Sequence, residues 1–182
     1  MRSVWTSVVL LALGWGQPVR SAEQMVPINR VSVTGIGESL GTLRLVETPE
    51  GLRIEPQLRG LPPGPNGFHL HEHPSCRPGP INGKVVAAGA AGGHWDPSGG
   101  MGTHPHGMVA GTHHPNGTPD PASRPQGDLP DLAASAQGIA TQPVLAPQFR
   151  TVEAVRNHAV IIHQGLSGTR FACGVIAEPT RR

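Results

Sequence analysis

Beyond its first two dozen residues the chain alternates apolar and polar positions over short runs, the period-two pattern of half-buried strands. NRVSVTG (29–35) puts Val31 and Val33 on one side. GTLRLVETPEGLRIEPQL (41–58) sets Leu43 and Leu45 against Leu52 and Ile54 across the turn-like ETPEG, which predicts a β-hairpin. NGFHLHEH (66–73), HAVIIHQG (158–165) and TRFACGVIA (169–177) read as further strands, and RTVEAVRNH (150–158) has room for one short helical turn. These elements predict an all-β chain, an antiparallel sandwich or barrel.

Composition supports this. The 25 glycines and 20 prolines are spread through 182 residues, which disfavours long helices. That length suits one domain with a real core. A net charge of +2, with no basic run and no aromatic platform, gives no reason to expect a nucleic-acid partner.

The opening MRSVWTSVVLLALGWGQPVRSAEQ departs from the alternation. An arginine, an apolar run from Val4 to about Gly16 and then small residues form the layout of a secretory signal peptide. The run is short of the roughly 20 residues needed to span a bilayer. We therefore expect residues 1–22 to be a signal peptide and 23–182 the exported domain, with no stable membrane insertion after cleavage near Ser21 or Ala22. In an oxidising compartment the two cysteines, Cys76 and Cys173, are expected to form one disulfide, the alternative being two buried free thiols.

Between Gly89 and Pro130 the periodicity fades into a stretch dense in Gly, Pro, His and Asp. A loop this long inside a compact domain is usually functional or disordered, and its histidines favour function. His69 and His71 stand two apart in an extended segment, so both point to one side, about 6.6–6.8 Å apart along the strand, while Phe68 and Leu70 point to the other. His94 in GGHWDP and His163 in VIIHQG sit beside glycines and apolar residues that suggest ordered positions. Four neutral imidazoles suit copper or zinc, and a tetragonal all-nitrogen site suits Cu(II).

The order GFHLHEHPSC, AAGGHWDP, GDLPDL, VIIHQG, TRFACGVI, preceded by GIGESLGTLRLVETPEGLRIEPQLRGLPPG, resembles the bacterial exported copper/zinc superoxide dismutases over nearly the whole mature chain. The resemblance implies a Greek-key antiparallel β-sandwich or barrel with a long metal-binding loop. It implies conversion of superoxide to dioxygen and hydrogen peroxide by Cu(II)/Cu(I) cycling, in a bacterial periplasm. Matched by motif, His69, His71, His94 and His163 resemble the copper ligands, with His94 in the place that bridges to zinc and takes up a proton. Arg170 resembles the arginine that attracts the anionic substrate, and Cys76 and Cys173 the family's disulfide pair.

The zinc side departs from the family pattern. Asp128 is present in PQGDLP, but Pro125 stands where the family has a histidine. His104 and His106 compete for the next ligand place, and His113 and His114 could substitute from the loop. His94, His106, Asp128 and one of these would be chemically adequate for zinc, whose tetrahedral sites accept N and O ligands, the alternative being a loop that holds no zinc. Only QGLSGT separates His163 from Arg170, so the family's electrostatic loop is truncated, and with it the carboxylate that links the two metal sites. Copper-only relatives share both departures, and the shortened loop should leave the channel less selective against larger anions. The histidine-rich 104–114 stretch keeps a second reading open, an exported copper-binding or copper-buffering protein of the same fold that recruits metal from solvent or a copper donor. Of the remaining residues, His73 is expected to face solvent, His158 to face away from His163, Asp96 to start a turn and Trp95 to pack beneath the loop.

Overall fold

The computed structural model describes residues 22–97, 125–166 and 168–178. Residues 1–21 of the expected 1–22 signal peptide, and His104, His106, His113 and His114, lie outside the described residues.

Seven strands form one antiparallel sheet: β1 (Glu23–Ser32), β2 (Gly35–Thr48), β3 (Gly51–Leu58), β5 (Phe68–His71), β9 (Val144–Ala146), β10 (His158–His163) and β11 (Arg170–Ile176). Their order is β5-β10-β11-β1-β2-β3-β9. The chain thus crosses the sheet from one side to the other twice, between β3 and β5 and between β9 and β10, the long return connections of a Greek key. Two short pairs complete the described sheets: β4 (Gly64–Asn66) with β8 (Leu132–Ala134), and β6 (Gly79–Ile81) with β7 (Lys84–Val86).

The β2–β3 hairpin forms where the alternation predicts it. Leu45 lies opposite Ile54, while Leu43 faces Pro56 and Leu52 faces Glu47. Leu43, Leu45, Leu52 and Ile54 are all buried. Val33 is a correction: Val31 is buried but Val33 is 60% exposed. The strand ends at Ser32, whose hydroxyl accepts the Thr34 N–H, so Val33 lies in a turn rather than on the strand face. The helical turn expected after Arg150 is a single 3-10 turn at Glu153–Val155.

The sheet's two faces carry different loads. Phe68, Leu70, Val160, Ile162, Ala172 and Ile176 enter the main core with the apolar residues of β1–β3. On the other face Ala159, Ile161 and Cys173 form a smaller cluster with Val31, Cys76, Ala88 and Ala91. The Cys76–Cys173 disulfide lies in this second cluster and ties the segment after β5 to β11. That second face is the one from which the histidines rise.

Candidate metal centre

β5 is positioned from both of its edges. Along one edge it pairs with β10, placing His69 opposite Ile161 and His71 opposite Ala159. Residues directly opposite one another share a face, so both imidazoles leave on the side away from the main core. The other edge is covered by the two ends of the long loop. Trp95 N donates to Leu70 O (2.9 Å) and Glu72 N to Gly93 O (3.2 Å), while Leu70 N donates to Gly127 O (2.8 Å) and Leu129 N to Phe68 O (3.0 Å). These contacts bring His94 alongside His71 and Asp128 alongside His69 as isolated β-bridges. His163 arrives at the end of β10, where the β10–β11 register shifts at the Ile162/His163 step, a kind of irregularity that re-aims a side chain.

Four ring nitrogens, one each from His69, His71, His94 and His163, consequently lie within 4.8 Å of one another. That is close to the roughly 4 Å spanned by opposed nitrogens each about 2.0–2.1 Å from one ion. His69 stacks on His94 with ring centroids 4.0 Å apart, and His71 stacks on His163 at 5.7 Å. Among the described residues, His69 Nδ1 and His71 Nε2 are buried and have no hydrogen-bond partner. A buried polar atom left unpaired costs about 1–3 kcal/mol, a cost that an ion at the centre would remove. The donor set, all imidazole nitrogen, fits copper.

Protein acceptors hold the rings from behind. His71 Nδ1 donates to Gly92 O (3.1 Å), and His163 Nδ1 to Gly168 O (3.0 Å). Each of these bonds leaves the Nε2 lone pair for a metal. His94 Nδ1 lies 3.1 Å from Asp128 Oδ1, which is also 4.0 Å from His69 Nε2. Burial, then the neighbouring His94 and His163 rings, pushes His69 down to about 3. Burial, then the Arg170 charge, depresses His71 as well. Both rings are therefore neutral in the folded chain near neutral pH, the form that binds metal.

Arg170 is almost fully buried, and its guanidinium donates from Nη1 to Ala88 O (2.7 Å) and from Nη2 to Gly92 O (2.6 Å). Glu72 accepts the next amide, Gly93 N–H, at 2.8 Å. Together these bonds fasten the segment that leads into His94.

A model of the family described as copper/zinc superoxide dismutase (SODC) matches residues 39–176. The chain belongs to the copper/zinc superoxide dismutase family. It is 39% identical to superoxide dismutase [Cu-Zn] 2 of Salmonella typhimurium, covering 93% of this chain and 95% of that one. It is 35% identical to the Escherichia coli K12 superoxide dismutase [Cu-Zn], over 93% and 97% of the two chains. Among solved structures, the Cu/Zn superoxide dismutase from Brucella abortus superposes with a TM-score of 0.69 at 36% identity, over 85% of this chain and 99% of that one. The monomeric copper, zinc superoxide dismutase from Salmonella enterica gives 0.67 at 40% identity, over 85% and 99%. The Greek-key barrel of this superoxide dismutase family is thus the fold of the chain, and copper is the cofactor that its four imidazoles suit.

Sequence reasoning missed the acceptors behind the rings. The shortened segment after His163 does more than omit a loop: Gln164 N donates to Thr169 O (2.9 Å), folding the segment back so that Gly168 O meets His163. A Cβ on Gly168 would lie 1.8 Å from Gln164 O, so the close approach requires glycine, a signal visible in the sequence only as one Gly among many. Of the other expectations, His73 is exposed. Trp95 stacks against Phe149 at 5.7 Å and lies 4.1 Å from the His158 ring, with His158 Nδ1 donating to His71 O (2.9 Å). Among the described residues no helix is long and apolar enough to cross a membrane.

Proposed function

We propose that this chain is an exported superoxide dismutase in which His69, His71, His94 and His163 hold copper and Arg170 draws in the anion. The observation that carries the reading is the convergence of four imidazole nitrogens from β5, the loop and β10 within 4.8 Å, in a cluster where, among the described residues, His69 Nδ1 and His71 Nε2 are buried and have no hydrogen-bond partner. Bound copper supplies one-electron redox chemistry by alternating between Cu(II) and Cu(I). Two superoxide anions and two protons give one dioxygen and one hydrogen peroxide, and the chain has to deliver the anions and the protons.

Arg170 serves the first need. Its cationic group is held by two carbonyls beside the cluster and attracts a small anion to it. His94 serves the second. Its side chain is 34% exposed against 13% for His69, while His71 and His163 are buried. It is therefore the ring of the set best placed to exchange a proton with solvent at Nε2. The leader-like first 22 residues and a disulfide support export to an oxidising compartment, which for a bacterial chain is the periplasm. A copper donor in that compartment would be the partner that loads the site.

The test is to load the purified mature protein with copper, count copper and zinc per chain, and measure superoxide loss per copper. Fast loss with one copper per chain is expected. Full copper with negligible turnover would instead make the chain a copper-binding protein, a reading that the family comparisons do not favour.

A further inference from the structure

We propose that Glu72 is a positioning residue: its carboxylate fixes the direction of the Gly92–Gly93 peptide group, and through that group both the Arg170 guanidinium and the His71 ring. This rests on the reading of His71 as a copper ligand and of Arg170 as the group that draws in the anion.

One peptide group stands between three side chains. Its oxygen, Gly92 O, accepts from Arg170 Nη2 (2.6 Å) and from His71 Nδ1 (3.1 Å). Its N–H, that of Gly93, donates to Glu72 Oε2 (2.8 Å). The C=O and N–H of a trans peptide point in opposite directions, so the carboxylate holds one side of the group while the two donors hold the other. A charged acceptor at the N–H also polarises the group and makes Gly92 O the stronger acceptor.

The main chain frames this peptide without setting its direction. Glu72 N donates to Gly93 O (3.2 Å) and His73 N to Ala91 O (2.9 Å), which pins the peptide groups on either side of it. Gly92 itself has φ 79° and ψ −156°, a region that only glycine enters readily. A Cβ there would lie 2.3 Å from Glu72 Oε2, so the carboxylate packs against the Gly92 backbone as closely as glycine allows. Two successive glycines have no side chain with which to resist a flip of the peptide between them. Glu72 supplies the contact that resists it.

The charge of Glu72 has a second consequence. Burial lowers the basicity of Arg170, and the Glu72 charge opposes that effect. Yet Glu72 is exposed and negative, so its field works against an approaching anion. Its contribution to the site is therefore reach to Gly93 N–H and not attraction, and the two can be separated. Glu72→Gln keeps the reach and loses the charge. Glu72→Asp keeps the charge and is one methylene short.

The test uses the mature protein and its Glu72→Gln, Glu72→Asp and Glu72→Ala variants. In the metal-free proteins, NMR follows the Gly93 amide and the His71 Nδ1–H; in the copper-loaded ones, Cu(II) EPR follows the centre. In Glu72→Ala the His71 Nδ1–H should exchange with solvent about tenfold faster or more, the effect of losing one charge-assisted hydrogen bond. Its Cu(II) hyperfine splitting should shift as well. Glu72→Asp should resemble the alanine variant, and it carries the test if that variant does not fold. Glu72→Gln should stay near wild type in both readouts. Wild-type exchange and EPR in the alanine variant would overturn the inference while leaving the copper reading intact. So would an aspartate variant that matches wild type beside a glutamine variant that matches alanine, because charge and not reach would then decide. A wild-type protein that binds no copper would overturn the copper reading, whatever the metal-free spectra show of the peptide.

Discussion

Arg170 and His71 hold the same atom: the carbonyl oxygen of Gly92 accepts from Arg170 Nη2 at 2.6 Å and from His71 Nδ1 at 3.1 Å. The shared acceptor joins the cationic group proposed to attract the anion to a ring of the four-histidine cluster. It also explains why, after burial, the Arg170 charge is the largest influence depressing the basicity of His71.

Replacing Arg170 with alanine should lower the second-order rate of superoxide loss per bound copper by about tenfold or more, and flatten its dependence on ionic strength. Arg170→Lys should restore the salt dependence without the full rate, because a single ammonium does not reproduce the planar fork that spans Ala88 O and Gly92 O. Stopped-flow assays on copper-counted samples decide this. Copper lost with the rate per remaining copper unchanged would remove Arg170 from the mechanism.

Reducing the Cys76–Cys173 bond frees a segment of 97 residues, for which loss of a cross-link of this span costs about 2–5 kcal/mol. Urea unfolding with and without reductant should show a loss of that size. Because the bond anchors the segment between β5 and His94, copper affinity should fall as well. Stability unchanged by reduction would contradict the structural role.

Gly127→Ala should destabilise the fold by about 2 kcal/mol or more, since its Cβ meets two backbone oxygens rather than flexible side chains. Phe68→Ala, on the main-core face of β5, should cost about 3–5 kcal/mol by opening a cavity. The two should differ at the cluster: the Gly127 change displaces Asp128 and should alter the Cu(II) EPR spectrum more per kcal/mol lost. Equal spectral effects at equal destabilisation would argue against a specific path through Asp128.

The metal-free protein should lose stability on mild acidification. In the unfolded chain His69 takes a proton near pH 6.5, whereas in the fold it does so only at about 3. Between those values the unfolded state binds more protons, so stability rises with pH across the window and its histidine contribution is fully present above it. Urea midpoints of the metal-free protein at pH 7.5 and 5 should show the decline, and His69→Gln should reduce its slope. A midpoint that rises on acidification would refute the buried neutral ring.

The strands, the β2–β3 hairpin and the split of β5 into Phe68 and Leu70 on one side and His69 and His71 on the other were legible in the sequence, because side-chain direction alternates along any strand. The motifs around them also singled out the four histidines that the structure brings together. Val33 misled because alternation alone does not mark where a strand gives way to its turn. The sequence by itself determined which residues could meet at a metal and from which face of β5 two of them would come. Only the tertiary structure decided that the two ends of the long loop share one edge of β5, that Gly168 O stands behind His163, and that Asp128 stands behind His94. Those acceptors are backbone atoms or residues brought close by pairing between distant segments, and such contacts carry no local periodicity from which to read them.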